Sequence, residues 1–510
     1  MTQLKRGLSL SSLVILGLGG AVGTGVLFST AGMTALAGPG VIFAWIIGAI
    51  MYAFVGLTYV ELGQIYPEAG GPSRYSLYTH GRATNLINAF SDLIWYLFIP
   101  PIEALATVEG INYFWPHFIT TQGNPTTLGG IAGAILMLLF LPFNYYGIKM
   151  FAKSTNWFGI LKLVLYGLAA IGFITFARFA NFNHYGGWVP FGFSGIWAAI
   201  PLAMFAFGGI RVIPDYAEEV HRPKDIGRAI LWVVLGQTVL YILFAMGFLT
   251  SLNWSAVKLH PGSWSSISSI PGNPFLTLAS AAHVGWLIAL TAVIAIVGPF
   301  VTGYIYQGAG SRILFAMSRS GLVSARLREI NEEYAIPVWS LLVFTIIGAV
   351  VAYIAAPLPS IYNLISDAVV GGYIGFAVNP VAMMALRRSG RPGVLKGGST
   401  IAVLAFAAAS LIVYWSGWPS VPYAVVLLTF ASVLFGLIYR VKEGYKNALW
   451  YIVYVLFLTF MTYVGGVGAK SFVNIDVGSI LVVLVSVLVF LPWGVGSRLS
   501  SIGQGQLNGE

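Results

Sequence analysis

Almost everything this sequence could do chemically rests on a few glycines and ionisable residues set in apolar surroundings. Gly17-Leu18-Gly19-Gly20-Ala21-Val22-Gly23-Thr24-Gly25 crosses the middle of one hydrophobic run, and Phe205-Ala206-Phe207-Gly208-Gly209-Ile210-Arg211 crosses another. The first resembles a dinucleotide-binding loop only superficially: Val22 stands where the third glycine belongs, and no strand precedes it. An interrupted membrane helix is the physical alternative. Unwound backbone exposes N–H and C=O groups that hydrocarbon cannot satisfy, so a break needs a cavity or a ligand beside it. Small residues also let helices pack closely, and one glycine cluster alone does not separate the two readings. Lys162, Arg211 and Glu103 lie within apolar runs as well. A charge there costs at least about 2.5–3.5 kcal/mol, so each needs a partner or a task. Asp92, Glu61 and Glu109 lie nearer the ends of their runs and read as solvated or structural. Asp215, Glu218 and Glu219 approach the end of theirs, where pairing with a basic residue such as Arg312 could be ordinary surface pairing or a gate. No cysteine occurs, and His117, His221, His260 and His283 are scattered without metal-ligand spacing. The expectation is therefore no metal, no cofactor and no thiol chemistry.

The elements that must hold these residues follow from composition. Only 8% of the 510 residues are charged, 58% are hydrophobic, and the mean hydropathy is +0.84. Soluble domains carry roughly 25% charged residues, so this chain is neither a soluble enzyme nor disordered. The net charge of +10 suggests nucleic acid until the basic residues are placed. They crowd onto alternate short connectors, where they set membrane orientation. No nucleic-acid partner is expected; the lipid bilayer is.

Apolar runs give fourteen spans, at about 8–36, 41–66, 86–115, 128–148, 155–177, 196–219, 229–251, 284–316, 338–356, 361–386, 400–418, 422–439, 449–467 and 477–493. Each is long enough for a membrane helix and too long for a barrel strand. The first is read as a retained span, not a signal peptide. With the N-terminus in the cytoplasm, the outer connectors hold only Arg178, Lys258 and Lys470 among the basic residues. Both termini are then cytoplasmic, in a multi-pass protein of the cytoplasmic membrane. The largest outer connector, about 252–283, carries a second apolar stretch, Pro274–Ala282, read as a short helix at the outer mouth.

Spans one and six each carry a glycine break, which places them at corresponding positions of two halves. Such a pair is the best sequence pointer to an inverted-repeat transporter site. The two five-helix repeats cover about 8–178 and 196–386, within a core of 1–390, and spans eleven to fourteen, in 391–510, are peripheral.

Several stretches, in order across about 8–390, resemble amino acid permeases of the amino acid–polyamine–organocation (APC) superfamily. They are Val22-Gly23-Thr24-Gly25-Val26-Leu27-Phe28; Glu61-Leu62-Gly63 through Tyr66-Pro67-Glu68-Ala69-Gly70-Gly71-Pro72; Ala217-Glu218-Glu219 with Arg222-Pro223; and Ser311-Arg312 through Arg319-Ser320-Gly321-Leu322. The resemblance implies an all-α, LeuT-type five-plus-five fold with discontinuous first and sixth helices, and alternating access of an amino acid. Its carboxylate would meet the N–H groups of Gly23, Thr24 and Gly25, and its amine the carbonyls of Phe205, Ala206 and Gly208, beside Gly209. Phe205 falls where relatives often have an aromatic lid, and is otherwise a core or lipid-facing side chain. Lys162 falls where many related transporters have a lysine in place of a sodium ion, and its proton would then couple to transport. Otherwise it snorkels to the interface. Arg211 replaces the family's usual glutamate, which disfavours cationic substrates and points to neutral or acidic ones. Glu103 matches its depth, so a Glu103–Arg211 pair is expected near the site, either touching substrate or serving only as a structural pair in the bundle. The leading reading is proton-coupled or exchange transport, with a sodium-coupled symporter or a non-transporting amino acid sensor as alternatives. An intramembrane enzyme would want clustered His, Asp or Glu at one interface, which the sequence lacks.

Overall fold

The structure is a computed structural model that describes residues 3–120, 123–270, 272–356, 367, 369–500 and 502. It is all helical; among the described residues the β contacts are isolated bridges. In chain order the helices are α1 (Leu10–Ala21), α2 (Thr24–Ala37), α3 (Val41–Ile65), α4 (Pro72–His80), α5 (Arg82–Asn112), α6 (Thr127–Leu139), α7 (Leu141–Tyr145), α8 (Ile148–Ile174), α9 (Ala180–Asn183), α10 (Gly192–Ala206), α11 (Gly209–Asp215) and α12 (Lys224–Ser251). There follow α13 (Pro274–Ala281), α14 (Gly285–Arg319), α15 (Val338–Ala355), α16 (Gly371–Phe376), α17 (Val378–Arg388), α18 (Gly398–Ser416), α19 (Ser420–Ile438), α20 (Tyr445–Val464), α21 (Ile475–Val485) and α22 (Leu491–Gly496).

Twelve helical stretches among the described residues are long and apolar enough to cross a membrane, the first of them, Thr24–Ile65, running through α2 and α3. That count does not reach the fourteen expected. The helix break leaves α1 only 12 residues long. Most of the first part of the expected span 361–386 lies outside the described residues, and its remainder forms α16 and α17. The short helix expected at 274–282 is α13.

Both glycine clusters interrupt helices. Val22 and Gly23 separate α1 from α2, and Phe207 and Gly208 separate α10 from α11. Small residues bring the two broken helices together: a Cβ on Gly25 would stand 2.8 Å from Ala206 Cα, and one on Gly209 2.6 Å from Ala21 Cβ. Here close packing and interruption are one feature, because the breaks cross where side chains are smallest. The long helices α5 and α14 lie against each other and, with α8 and α12, enclose this crossing.

The N-terminal end of the bundle is shut. Gly7 N–H donates to Glu219 O at 2.8 Å, and Gly70 N–H to Asp215 O at 3.0 Å. Gly70 and Gly71 have φ of 75° and 25°, and a Cβ on Gly71 would meet Pro214 O at 2.6 Å. The Glu61-to-Pro72 motif therefore makes a turn that fits against the end of α11 only with glycine at both positions.

Candidate functional site

Breaking α1 frees carbonyls that a continuous helix would use. Gly23 N–H turns back to Ala21 O at 3.0 Å, leaving Gly19 O without its usual partner four residues on. Lys162, on α8, supplies the replacement. Its ammonium donates to Gly19 O at 2.7 Å, Gly298 O at 2.9 Å and Thr302 Oγ1 at 2.8 Å. An ammonium has three protons, and all three find oxygens. The side chain is fully buried, which rules out snorkelling in this conformation. Tyr241, on α12, serves both breaks: its hydroxyl lies 2.8 Å from Ala21 O and 2.7 Å from Ala206 O, donating to one at a time.

The opposite need arises where α2 begins, because the first N–H groups of a helix are orphaned and attract anions. Glu103, on α5, meets that need. Its carboxylate accepts from Thr24 Oγ1 at 2.6 Å and Thr24 N–H at 3.3 Å. A Cβ on Gly23 would stand 2.5 Å from Thr302 Oγ1 and 3.0 Å from both Glu103 oxygens, so only glycine fits between the lysine's cage and the carboxylate.

The expected Glu103–Arg211 pair does not form. Arg211 follows the break, on α11, and reaches α5 at Asp92, to which its Nη2 donates. Asp92 precedes Glu103 by eleven residues, about 16 Å along a helix, so equal distance from span ends was a poor guide to neighbours. Of the two readings given for Asp92, solvated or structural, its burial excludes the first. The Arg211 guanidinium lies 4.7 Å from the ring centres of both Trp95 and Phe376, and Nη1 donates to Gly372 O at 3.4 Å.

Above the breaks lies a cavity of about 460 Å³, bounded by Thr24, Phe28, Ile102, Phe205, Tyr373 and Asp367. It runs towards the end of the bundle where α2 and α18 terminate, away from the shut N-terminal end. Phe205 is a wall of this cavity. Of the backbone expected to receive an amine, Ala206 O is engaged by Tyr241, Phe205 O by Gly208 N–H at 3.2 Å and Gly208 O by Arg211 N–H at 3.0 Å. Gly208 packs under Tyr306 and Trp95, and Gly209 against α1, so neither faces the cavity.

At the shut end Glu219 and Arg312 form a buried bidentate pair, Nε to Oε2 at 2.6 Å and Nη2 to Oε1 at 2.8 Å. Burial pushes the Glu219 carboxyl above the usual range, and Arg312 opposes that shift. Glu218 pairs with Arg319 at 2.6 Å, and Glu61 with Arg387 across α3 and α17. Tyr241 and Thr302 escaped sequence reasoning, and Asp92 was read there as solvated or structural without its partner. Asp92 carried a signal, a charge inside a span, whereas Tyr241 and Thr302 are ordinary residues for a membrane helix. Among the described residues no group of three or more His, Cys, Asp or Glu could hold a metal.

Comparison with known proteins agrees with this architecture. The family model described as "Amino acid permease" matches residues 8–408. The chain is 28% identical to the glutamate/serine transporter AimA of Bacillus subtilis (strain 168), with 98% of this chain and 95% of that protein covered. It is 30% identical to the aspartate-proton symporter of the same organism, with 95% of each covered. It is 25% identical to the aromatic amino acid transport protein AroP of Escherichia coli (strain K12), covering 88% of this chain and 97% of that one. The chain belongs to the amino acid permease family of the APC superfamily. It is thus a multi-pass membrane protein of LeuT-type fold and a transporter of amino acids, not an enzyme.

Proposed function

We propose that the protein is a secondary active transporter that carries a neutral or acidic amino acid across the cytoplasmic membrane by alternating access, coupled to protons. One observation carries the coupling: the Lys162 ammonium sits in a cage of Gly19 O, Gly298 O and Thr302 Oγ1 that joins α8, the broken α1 and α14. A cage of carbonyl and hydroxyl oxygens suits a monovalent cation, and here the protein's own cation fills it. Removing the proton removes the charge and one donor, loosening α1 from α14 without any metal ion.

Glu103 lies across Gly23 from that cage and holds the start of α2. We read Glu103 and Lys162 as the pair between which proton binding is felt. A substrate carboxylate arriving at Gly23, Thr24 and Gly25 competes with Glu103 for the Thr24 N–H, so substrate binding and the charge on Glu103 are linked. Phe205 covers the substrate from the cavity side. With the N-terminus cytoplasmic, as the basic connectors favour, the cavity opens outwards and the Glu219–Arg312 end closes inwards. The repeats of 8–178 and 196–386 then rock about the two breaks, with 391–510 outside the moving core. Two relatives are named for glutamate or serine and for aspartate with a proton, which supports both substrate class and ion.

The test is uptake of labelled amino acids into proteoliposomes, with and without an inward proton gradient, for the parent protein and Lys162→Ala. Gradient-driven, sodium-independent uptake that the substitution abolishes is expected. Sodium-dependent uptake that survives it would overturn the coupling scheme.

A further inference from the structure

Arg211 and Asp92 form a pair that transport by the two breaks alone does not require. Both side chains are buried, yet the pair is incomplete: Nη2 of Arg211 meets only Oδ1 of Asp92, and Oδ2 has no hydrogen-bond partner among the described residues. A guanidinium is a planar fork made for two parallel bonds to a carboxylate, and a buried oxygen left bare costs free energy. A purely structural pair, free to settle into its best geometry, has every reason to be bidentate, as Glu219–Arg312 is.

Location adds a second observation. The guanidinium carbon lies over the rings of Trp95 and Phe376, 4.7 Å from each centre, a cation–π setting that leaves its N–H groups for carboxylates. Trp95 also lies 6.1 Å from the Phe205 ring and 5.4 Å from the Tyr373 ring, centre to centre. Phe205 and Tyr373 are walls of the cavity. Trp95 therefore touches both the buried cation and two walls of the compartment above the helix breaks. Trp95 is fully buried and its indole bonds to no backbone among the described residues, so side-chain contacts alone, those of Tyr306, Phe205 and Tyr373 among them, hold the ring in place.

We propose that Arg211 is the receptor for the side-chain carboxylate of an acidic amino acid, with Asp92 as its resident surrogate and Trp95 as the wall that swings aside. This rests on the transport reading above and narrows its substrate to amino acids bearing a carboxylate on a short apolar stem. Substrate binding exchanges or shares Asp92's place on the fork, and the α-carboxylate stays at the start of α2. Neutral amino acids use the breaks alone and leave the pair intact.

The experiment is competition: uptake of labelled serine into proteoliposomes, inhibited by aspartate, glutamate, asparagine or glutamine, for the parent protein, Arg211→Lys, Arg211→Gln and Asp92→Asn. Arg211→Lys keeps the charge and an ion pair with Asp92 but loses the fork, so it remains a folded test if the other variants do not. The acid-over-amide preference is expected to fall at least tenfold in Arg211→Lys and Arg211→Gln. It should rise in Asp92→Asn, which clears the surrogate. Equal loss of acids and amides in all variants would make the pair structural and overturn the proposal. So would a parent protein that takes up serine but prefers amides to acids, with amino acid transport itself left standing. No uptake of any amino acid by the parent protein would instead overturn the transport reading, and this proposal with it.

Discussion

Replacing Glu219 by glutamine tests whether the N-terminal end is a gate. The substitution keeps shape and removes charge, and it strands Arg312 in a buried position. Arg312 exchanges a bidentate carboxylate, at 2.6 and 2.8 Å, for one neutral amide oxygen, and keeps Gly308 O at 3.0 Å, Ser311 Oγ at 3.5 Å and the face of Tyr216, 4.1 Å from its ring centre. Removing one partner of a buried pair costs about 3–5 kcal/mol, because the survivor is left uncompensated. That cost falls on the conformation in which the two ends meet, so it shifts the closed-to-open ratio by roughly two to three and a half decades. The chain has no cysteine, so Ser311→Cys, beside Arg312, introduces a single thiol at a site 1% exposed. Labelling by a small membrane-permeant thiol reagent should be slow in the parent background and at least about a hundredfold faster with Glu219→Gln. Adding Arg312→Met removes the stranded charge and should bring the rate back towards the parent's. If a correctly folded Glu219→Gln protein labels within threefold of the parent, the pair does not hold this end shut.

Two further outcomes follow from other contacts. Gly25→Ala puts a methyl 2.8 Å from Ala206 Cα and 3.0 Å from its Cβ, where backbone cannot yield cheaply, so it should cost about 1–3 kcal/mol and depress both uptake and Tm. Gly167→Ala, with nothing within 4 Å of its new methyl, is the control and should change neither. His80 lies buried between Thr79 Oγ1 and Gly494 O, each 2.8 Å from a ring nitrogen, and burial pushes it down to about 4. Its depressed folded value means the unfolded chain binds the extra proton first, so its stabilisation is complete above about pH 6.5 and fades as pH falls towards 4, by up to about 3 kcal/mol. Tm in detergent should therefore drop on acidification, and His80→Gln should flatten that drop; an unchanged slope would show that α22 does not dock through this histidine.

How much was readable in advance differs by scale. Glycines placed in the middle of apolar runs announced both helix breaks, since hydrocarbon gives interrupted backbone so few explanations. Lys162 announced itself the same way, as a charge with no local partner. Pairings between elements were a different matter. Depth along a span says nothing about which way a side chain turns once a helix has broken, and that is why Arg211 went to Asp92 and left Glu103 for Thr24. Nor does sequence say that Gly209 packs on α1 while Thr24 meets the cavity. Those facts belong to the crossing of α2 with α10, set by the clearance at Gly25.

Tyr241 shows what such hidden contacts imply. One hydroxyl stands within bonding distance of carbonyls freed at both breaks, with a single proton for the two. Ala21 O keeps the Gly23 N–H when the hydroxyl turns away, whereas Ala206 O then lacks that donor, so in the proposed scheme it is Ala206 O that is released for the α-ammonium of an amino acid. α1 and α11 pack on each other through Gly17, Ala21 and Gly209 with no clearance for a Cβ, so the two half-helices have little freedom to slide separately. The Lys162 cage fastens the same stretch of α1 to α14. A motion that opens the N-terminal end must then carry α1 and α11 together, breaking the cage and the Glu219–Arg312 pair in one event. In the proposed scheme, proton loss at the first and substrate arrival at the breaks act on this one crossing, and that shared element is the physical path the scheme requires.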